Sequence, residues 1–338
     1  MRALGASVVL VLLVGGSLAA ADEPTYTLRM ATLAPQGTAW AREMQAFARD
    51  VALGTNGQVA MKWYLGGIAG DDIEAAKRIG RDQLDGIGAG AWQCARWAPS
   101  ISVTRLPGLF RSREEAKYVM ARLRSTFDEE FKRSGFVFLG DAQVGAGMLF
   151  ARRPVRSMDE LRQIKMWTLD NDDVRTRLMS ALGLQLVPLS FDRARPAYDQ
   201  GQLDGFLAPP TAGLSFQWST QARYLIDLPT DYIMACLVVS TRAFDRLPFE
   251  NQRAVRAAGA KFMARFDDVG LHTDAELLGG LFERQGLKVI RHDDRFRAEF
   301  EAAGRTAWEK LDDATVPRQL IKQVQAILTA YRAANPMR

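Results

Sequence analysis

A two-lobed α/β fold crossed by one long helix is what this sequence predicts, and three stretches carry the prediction. Residues 158–210 alternate short apolar runs with helical patterns, and residues 26–91 repeat that alternation. Residues 249–285 keep apolar side chains at helical spacing without a proline. At 338 residues and 48% hydrophobic content, the chain can bury a core large enough for two domains.

The stretch 158–210 organises the rest. Residues 164–169 read as a strand. Asp170 or Asn171 can cap the next helix, whose positions Val174, Leu178, Met179 and Leu182 share a face, and Gly183 ends it. Residues 184–189 form a second strand, Ser190 opens a helix that stops at Gly201, and residues 204–208 form a third strand. Connections this short imply adjacent parallel strands with right-handed crossovers. Ligands of such sheets sit beyond the carboxyl ends of the strands. Residues 167–171, 190–193 and 208–211 are therefore expected at the mouth of a site.

The first half has the same logic. A strand over 26–32, a loop over 34–38 and a helix over 39–53 with Trp40, Met44, Phe47 and Val51 on one face end at Gly54. A strand over 59–64, a helix over 71–80 capped by Asp71 or Asp72, and a strand over 87–91 follow. Gly86, Gly88 and Gly90 lack the dinucleotide-fingerprint spacing and are read as close backbone packing. After a connection over 99–110, a helix is expected over 113–134 and strands over 136–140 and 148–151. Residues 212–222 look helical, 232–240 form an apolar strand returning to the first half, and 249–285 form the long helix, kinked near Gly270 or Gly279. A strand over 287–291 precedes a helical remainder.

Net charge is +5, but both signs are interspersed and no basic cluster appears, so nucleic acid is not an expected partner. Met1 and Arg2 precede an apolar run centred on residues 8–14, and Ala19, Ala20 and Ala21 fit a small-residue cleavage site. Residues 1–21 therefore read as a secretory signal peptide, and the mature chain is expected to be exported and soluble in the periplasm. Cys94 and Cys236 are far apart in sequence and are read as two buried thiols, although an exported chain permits a bridge. The two histidines, His272 and His292, belong to no ligand-spaced motif, so no metal and no catalytic triad are expected. Asp170, Asp172 and Asp173 stand at a helix start where capping explains them. Neither an enzyme activity nor a cofactor is expected.

Six segments, taken together and in order, carry a resemblance. They are ATLAPQGTAW, PSISVTRLPGLFRSREEAKYVM, RPVRSMDELRQIKMW, ALGLQLVPLS, AYDQGQLDGFLAPP and AFDRLPFENQRAV. With them, essentially the whole mature chain resembles the extracytoplasmic solute receptors of TRAP transporters, the DctP-type family. The resemblance implies a two-lobed periplasmic binding protein fold with a long helix spanning both lobes. It also implies delivery of a captured small molecule to TRAP-type membrane carrier subunits. Lobe I is expected over 22–144 and 233–272, and lobe II over 145–232 and 273–338. Presentation of the ligand to a periplasmic or sensor partner is an alternative.

Three departures from the family pattern bear on the ligand. Where the family usually carries a carboxylate-clamping Arg, this chain has Trp167; where a second Arg is common it has Gly147; where Asn is common it has Ala208. An Arg clamp gives paired charge-assisted hydrogen bonds of roughly 1.5–3 kcal/mol each. Trp167 instead offers an apolar face whose coverage contributes roughly 4 kcal/mol before ordering costs. The expected ligand is therefore a largely hydrophobic or aromatic small molecule, held by Trp167, Thr38, Trp92, Gly147, Met148, Asn171, Phe206, Ala208 and Pro209. The alternative is a carboxylate receptor whose clamp is relocated to Arg175, Arg193 or Arg195.

Overall fold

The computed structural model describes residues 23–313 and 315–335. The signal peptide expected over 1–21 lies outside the described residues. Among those residues, no helix is long and apolar enough to cross a membrane.

The first lobe begins with strand β1 (Tyr26–Thr32), helix α1 (Ala39–Gly54), β2 (Val59–Tyr64), α2 (Asp72–Gly80) and β3 (Gly86–Gly90). Thr38 starts α1 by accepting a hydrogen bond from the Ala41 amide at 3.2 Å, and Asp71 starts α2 by accepting from Glu74 at 2.8 Å. Helix α3 (Ala91–Trp97), a tight 3-10 turn over Pro99–Arg105, α4 (Arg113–Arg133) and β4 (Phe136–Ala146) complete this part. Strand β4 is longer than the sequence suggests because it pairs along its length with a later strand.

The chain then crosses to the second lobe. There β5 (Met148–Ala151), α5 (Met158–Arg162), β6 (Lys165–Leu169), α6 (Asp173–Ala181), β7 (Gln185–Leu189), α7 (Phe191–Asp199) and β8 (Gly205–Ala208) follow. The cap of α6 is Asp172, which accepts from the Arg175 amide at 3.2 Å, rather than Asp170 or Asn171. A turn in which the Asp172 amide donates to Leu169 moves the helix start forward. Helix α8 (Pro210–Ser215) is shorter than the helix expected over 212–222, because Gln217 adopts a left-handed φ of 58° that ends it. Strand β9 (Tyr224–Asp227) follows.

Strand β10 (Tyr232–Ser240) returns to the first lobe, and α9 (Thr241–Asp245) leads to the long helix α10 (Phe249–Glu276). A widened turn over Leu277–Leu281 breaks α10 at Gly280, whose φ of 112° only glycine adopts readily, one residue past the expected kink at Gly279. Gly270 instead lets α10 approach β4: a Cβ there would stand 3.2 Å from the Val144 carbonyl. Helix α11 (Phe282–Arg284), β11 (Lys288–Arg291), α12 (Asp294–Glu309) and α13 (Arg318–Ala334) end the described chain.

The sheets are built alike. The first has the order β2-β1-β3-β10-β4, and the second β11-β9-β5-β8-β6-β7. Strand β1 lies parallel between β2 and β3, as β6 lies parallel between β7 and β8. Each trio is flanked by an antiparallel strand from the crossing segments, β10 on β3 and β5 on β8. This two-lobed α/β architecture is the one the alternating pattern predicts.

Apolar clusters cover both faces of each sheet. Helix α12 packs on the second lobe through Phe296 and Phe300. Helix α13, which the sequence grouped with the second lobe, packs against α4 through the cluster that holds Leu320, Val324 and Leu328. Two of the crossings between the lobes are paired with each other. The Gly147 amide donates to the Asp231 carbonyl and the Thr230 amide to the Gly147 carbonyl, each at 2.8 Å.

One expectation is overturned outright. Cys94 on α3 and Cys236 on β10 are bonded as a disulfide, with Cα atoms 6.0 Å apart. Both residues are buried, as expected, but they are not free thiols. Strand β10 joins β3 just before α3 begins, and that pairing brings together two cysteines separated by 142 positions.

Candidate functional site

The carboxyl ends of β1 and β3 in one lobe and of β6 and β8 in the other face a common interlobe cavity of about 190 Å³. The first lobe contributes Thr32 to Ala34 after β1, Gly88 to Trp92 around the end of β3, and Trp40 on α1. The second contributes Trp167 to Leu169, Phe191 at the start of α7, and Leu207 to Pro209. The switch from strand to helix after each parallel strand therefore builds the wall.

Aromatic rings form a continuous run along this wall and across the lobes. Trp167 meets Trp218 edge to face at 4.6 Å, Trp218 meets Phe191 at 5.1 Å, and Phe191 meets Phe216 at 5.2 Å. Phe216 then reaches Trp40 of the first lobe at 6.4 Å, and Trp40 stacks on Phe266 of α10 at 5.7 Å. The Trp167 Nε1 donates to the Leu189 carbonyl at 3.0 Å, so this indole's single donor is committed to the protein and its ring is what it offers the cavity. Adjacent parallel pairing of β6 with β7 sets up that bond.

Of the residues singled out from sequence, Trp167, Trp92, Ala208 and Pro209 line this cavity. Phe206 does not. It is buried against Phe150 at 5.0 Å and lines a cavity of about 20 Å³ behind Trp167 and Trp218. Met148 is buried in the same apolar cluster as Phe206. Thr38 is occupied as the cap of α1, and Asn171 sits in the turn before α6, neither on the cavity wall. Gly147 lies at the lobe crossing, where a Cβ would collide with the Asp231 carboxylate. No longer side chain fits at 147 unless Asp231 moves.

Of the three arginines expected as a relocated clamp, one stands at the cavity. Arg193 and Arg195 are exposed on α7 and do not line it, although Arg195 borders the smaller cavity behind Trp167. Arg175 lines the cavity, as does Arg105, which sequence reasoning passed over. Arg105 hydrogen-bonds Asp172 across the lobes, both side chains being buried. Arg175 stands 3.8 Å from the same carboxylate and donates to Asp231 at 2.8 Å. The four groups alternate in sign. Burial would raise the Asp172 carboxyl, but the Arg105 and Arg175 guanidiniums outweigh it and hold this group below the ordinary carboxylate range. The sequence signal was present in an arginine embedded in the apolar run SISVTRLPGLF. Such a residue needs a buried partner.

Asp72, read from sequence as a capping candidate, also lines the cavity. One oxygen accepts from the Gly90 amide at 3.0 Å. Burial pushes its carboxyl up to about 7, against the opposing influence of that amide.

The family model for bacterial extracellular solute-binding proteins of family 7, DctP, matches residues 30–313. A solute-binding protein of Roseobacter denitrificans is 24% identical over 310 residues, 89% of this chain and 91% of that one. A solute-binding protein of Chromohalobacter salexigens is 22% identical over 222 residues, 64% of this chain and 65% of its own length. Among solved structures, a sugar acid binding protein of Advenella mimigardefordensis in complex with galactonate superposes with a TM-score of 0.84 at 17% identity, over 91% of this chain and 99% of that one. A TRAP periplasmic solute-binding protein of Roseobacter denitrificans with bound L-galactonate gives 0.80 at 21% identity, over 90% and 99%. The match runs through both lobes, and the interlobe cavity lies between them. The chain belongs to the DctP family of bacterial extracellular solute-binding proteins, the solute receptors of TRAP transporters.

Proposed function

We propose that this receptor is exported to the periplasm, captures a compact, mainly apolar or aromatic solute between its lobes, and hands it to a TRAP-type membrane carrier. The observation that carries the solute class is the unbroken run of rings from Trp167 to Phe266, with the Trp167 N–H already committed to Leu189. Size narrows the class further. A cavity of about 150 Å³ lined by apolar residues accommodates benzene. The 190 Å³ here suits a single ring carrying a few substituent atoms rather than an acyl chain. Covering the indole face contributes roughly 4 kcal/mol at about 25 cal/mol per Å².

A second reading is an acid receptor with its clamp relocated. It is favoured by Arg105 and Arg175 on the cavity wall, and by the galactonate and β-D-galacturonate held by structural relatives. Isothermal titration of the mature protein with single-ring compounds and with galactonate separates the two. Binding of the ring compounds alone supports the aromatic reading, and binding of galactonate alone supports the acid receptor. Uptake of the same solute by cells with and without a TRAP-type membrane carrier tests the delivery step.

A further inference from the structure

Four charged side chains line the cavity: Asp72, Arg105, Asp172 and Arg175. Three of them are tied into one chain that ends at Asp231, in which two guanidiniums meet two carboxylates. Asp72 stands outside that chain. No guanidinium or ammonium pairs with it among the described residues, and the one charge that acts on it is Asp71, of the same sign. Capping does not account for it either, because Asp71 is the residue that caps α2.

The Asp72 carboxylate is pinned to the wall. Its Oδ2 accepts from the Gly90 amide at 3.0 Å, and residues 88–92 all line the cavity. Its Oδ1 has no partner among the described residues and keeps some open surface, unlike the sealed Nη1 atoms of Arg105 and Arg175. Trp92 folds back over the same glycine, so that a Cβ on Gly90 would run into the six-membered ring of its indole. The wall segments nearest to Asp72, residues 32–34 after β1 and 88–92 around β3, bring no charge of their own.

A buried carboxylate needs a counter-charge, and the faces of aromatic rings attract cations. From the unpaired carboxylate and the indole beside it, we infer that the solute is a ring compound bearing a protonated amine, whose ammonium group donates to Asp72 and supplies the counter-charge that the protein lacks there. An uncharged ring leaves Asp72 unpaired, and a carboxylate adds a second anion beside it. Burial holds the Asp72 proton up to about pH 7 while no cation is present, so the ammonium ion must find the ionised form. The inference rests on the reading of this cavity as the site of a single-ring solute.

The test is isothermal titration of the mature protein at pH 8 and pH 6 with benzylamine, protonated at both, and with benzyl alcohol, uncharged and of the same size. At pH 8 benzylamine is expected to bind at least about tenfold more tightly than benzyl alcohol. At pH 6 its affinity is expected to fall about tenfold, because a carboxyl titrating near 7 is then only about one-tenth ionised, while that of benzyl alcohol stays level. In Asp72→Asn the advantage of the amine is expected to vanish. Equal binding of the two compounds at pH 8, an amine affinity indifferent to pH, or an advantage that survives Asp72→Asn overturns the inference and leaves the ring-solute reading standing. Failure of both compounds to bind overturns the inference together with that reading. The pH series on the unaltered protein decides the matter alone if Asp72→Asn does not fold.

Discussion

Arg105, on the 3-10 turn of the first lobe, and Asp172, at the start of α6 in the second, are hydrogen-bonded across the cavity with both side chains out of solvent. Removing one partner of such a pair strands the other as a buried charge, which costs roughly 3–5 kcal/mol. Asp172→Ala strands Arg105 and also deprives Arg175 of one of its two carboxylates. Urea unfolding of the variant is expected to show a loss of that size. A loss below about 1 kcal/mol, the range of a surface pair, would mean the contact is solvated.

Trp167 presents its face to the cavity and its N–H to Leu189. Trp167→Ala deletes the face and is expected to weaken binding of a single-ring solute by about 2–3 kcal/mol, some 30- to 150-fold. Trp167→Phe loses the bond to Leu189 but keeps a ring, so most of the affinity should remain. Equal losses in the two variants, read by titration calorimetry, would show that the hydrogen bond rather than the ring is what matters.

The bridge between Cys94 and Cys236 closes a loop of 142 positions between α3 and β10. Constraining the unfolded chain in this way contributes about 2–4 kcal/mol. The double substitution to alanine should lower stability by that amount and abolish the effect of added reductant on the melting temperature. Unchanged melting in reductant, with thiols titrating as free, would contradict the bond.

Asp72 and Asp172 give opposite pH dependences. The folded protein holds the Asp72 proton up to about pH 7, whereas the ordinary value is 3.8. This carboxyl therefore disfavours folding increasingly as pH rises through that window. Asp72→Asn keeps an acceptor for Gly90 and removes the penalty. Its stability relative to wild type should rise between pH 4 and 7, by up to about 4 kcal/mol. Asp172 is held below the usual value, so its contribution is present above pH 4 and is lost as pH falls through its lower folded value. Denaturation midpoints measured from pH 3 to 8 check both, and parallel curves for wild type and Asp72→Asn would rule out a protonated Asp72.

How far the sequence could be read depends on which interactions are local. The strand–helix alternation, the Asp71 cap and the apolar faces are set by near neighbours, and they were legible, whereas Thr38, read as a ligand contact, is the cap of α1. So was the cavity mouth, because strand ends fix its place whatever residues occupy them; Trp167, Ala208 and Pro209 follow from that. What escaped depends on distant partners. Arg105 meets Asp172 67 positions away, and Arg175 meets Asp231 56 positions away, so neither pairing leaves a periodic trace. Gly147 was read as a position on the ligand wall, but its lack of a side chain serves the close approach of Asp231. Phe206 and Met148 have the right strand but face the core, where alternation along a four-residue strand is too short to decide the side.

The backbone pairing of Gly147 with Thr230 and Asp231 makes a spine for the molecule. Those two bonds would be broken by sliding or twisting one half past the other, whereas rotation about the spine leaves them intact. The receptor should therefore open like a book, with entry and release at the fore-edge. Spin labels placed either side of the spine should keep their separation on solute binding, while a pair at the fore-edge draws together.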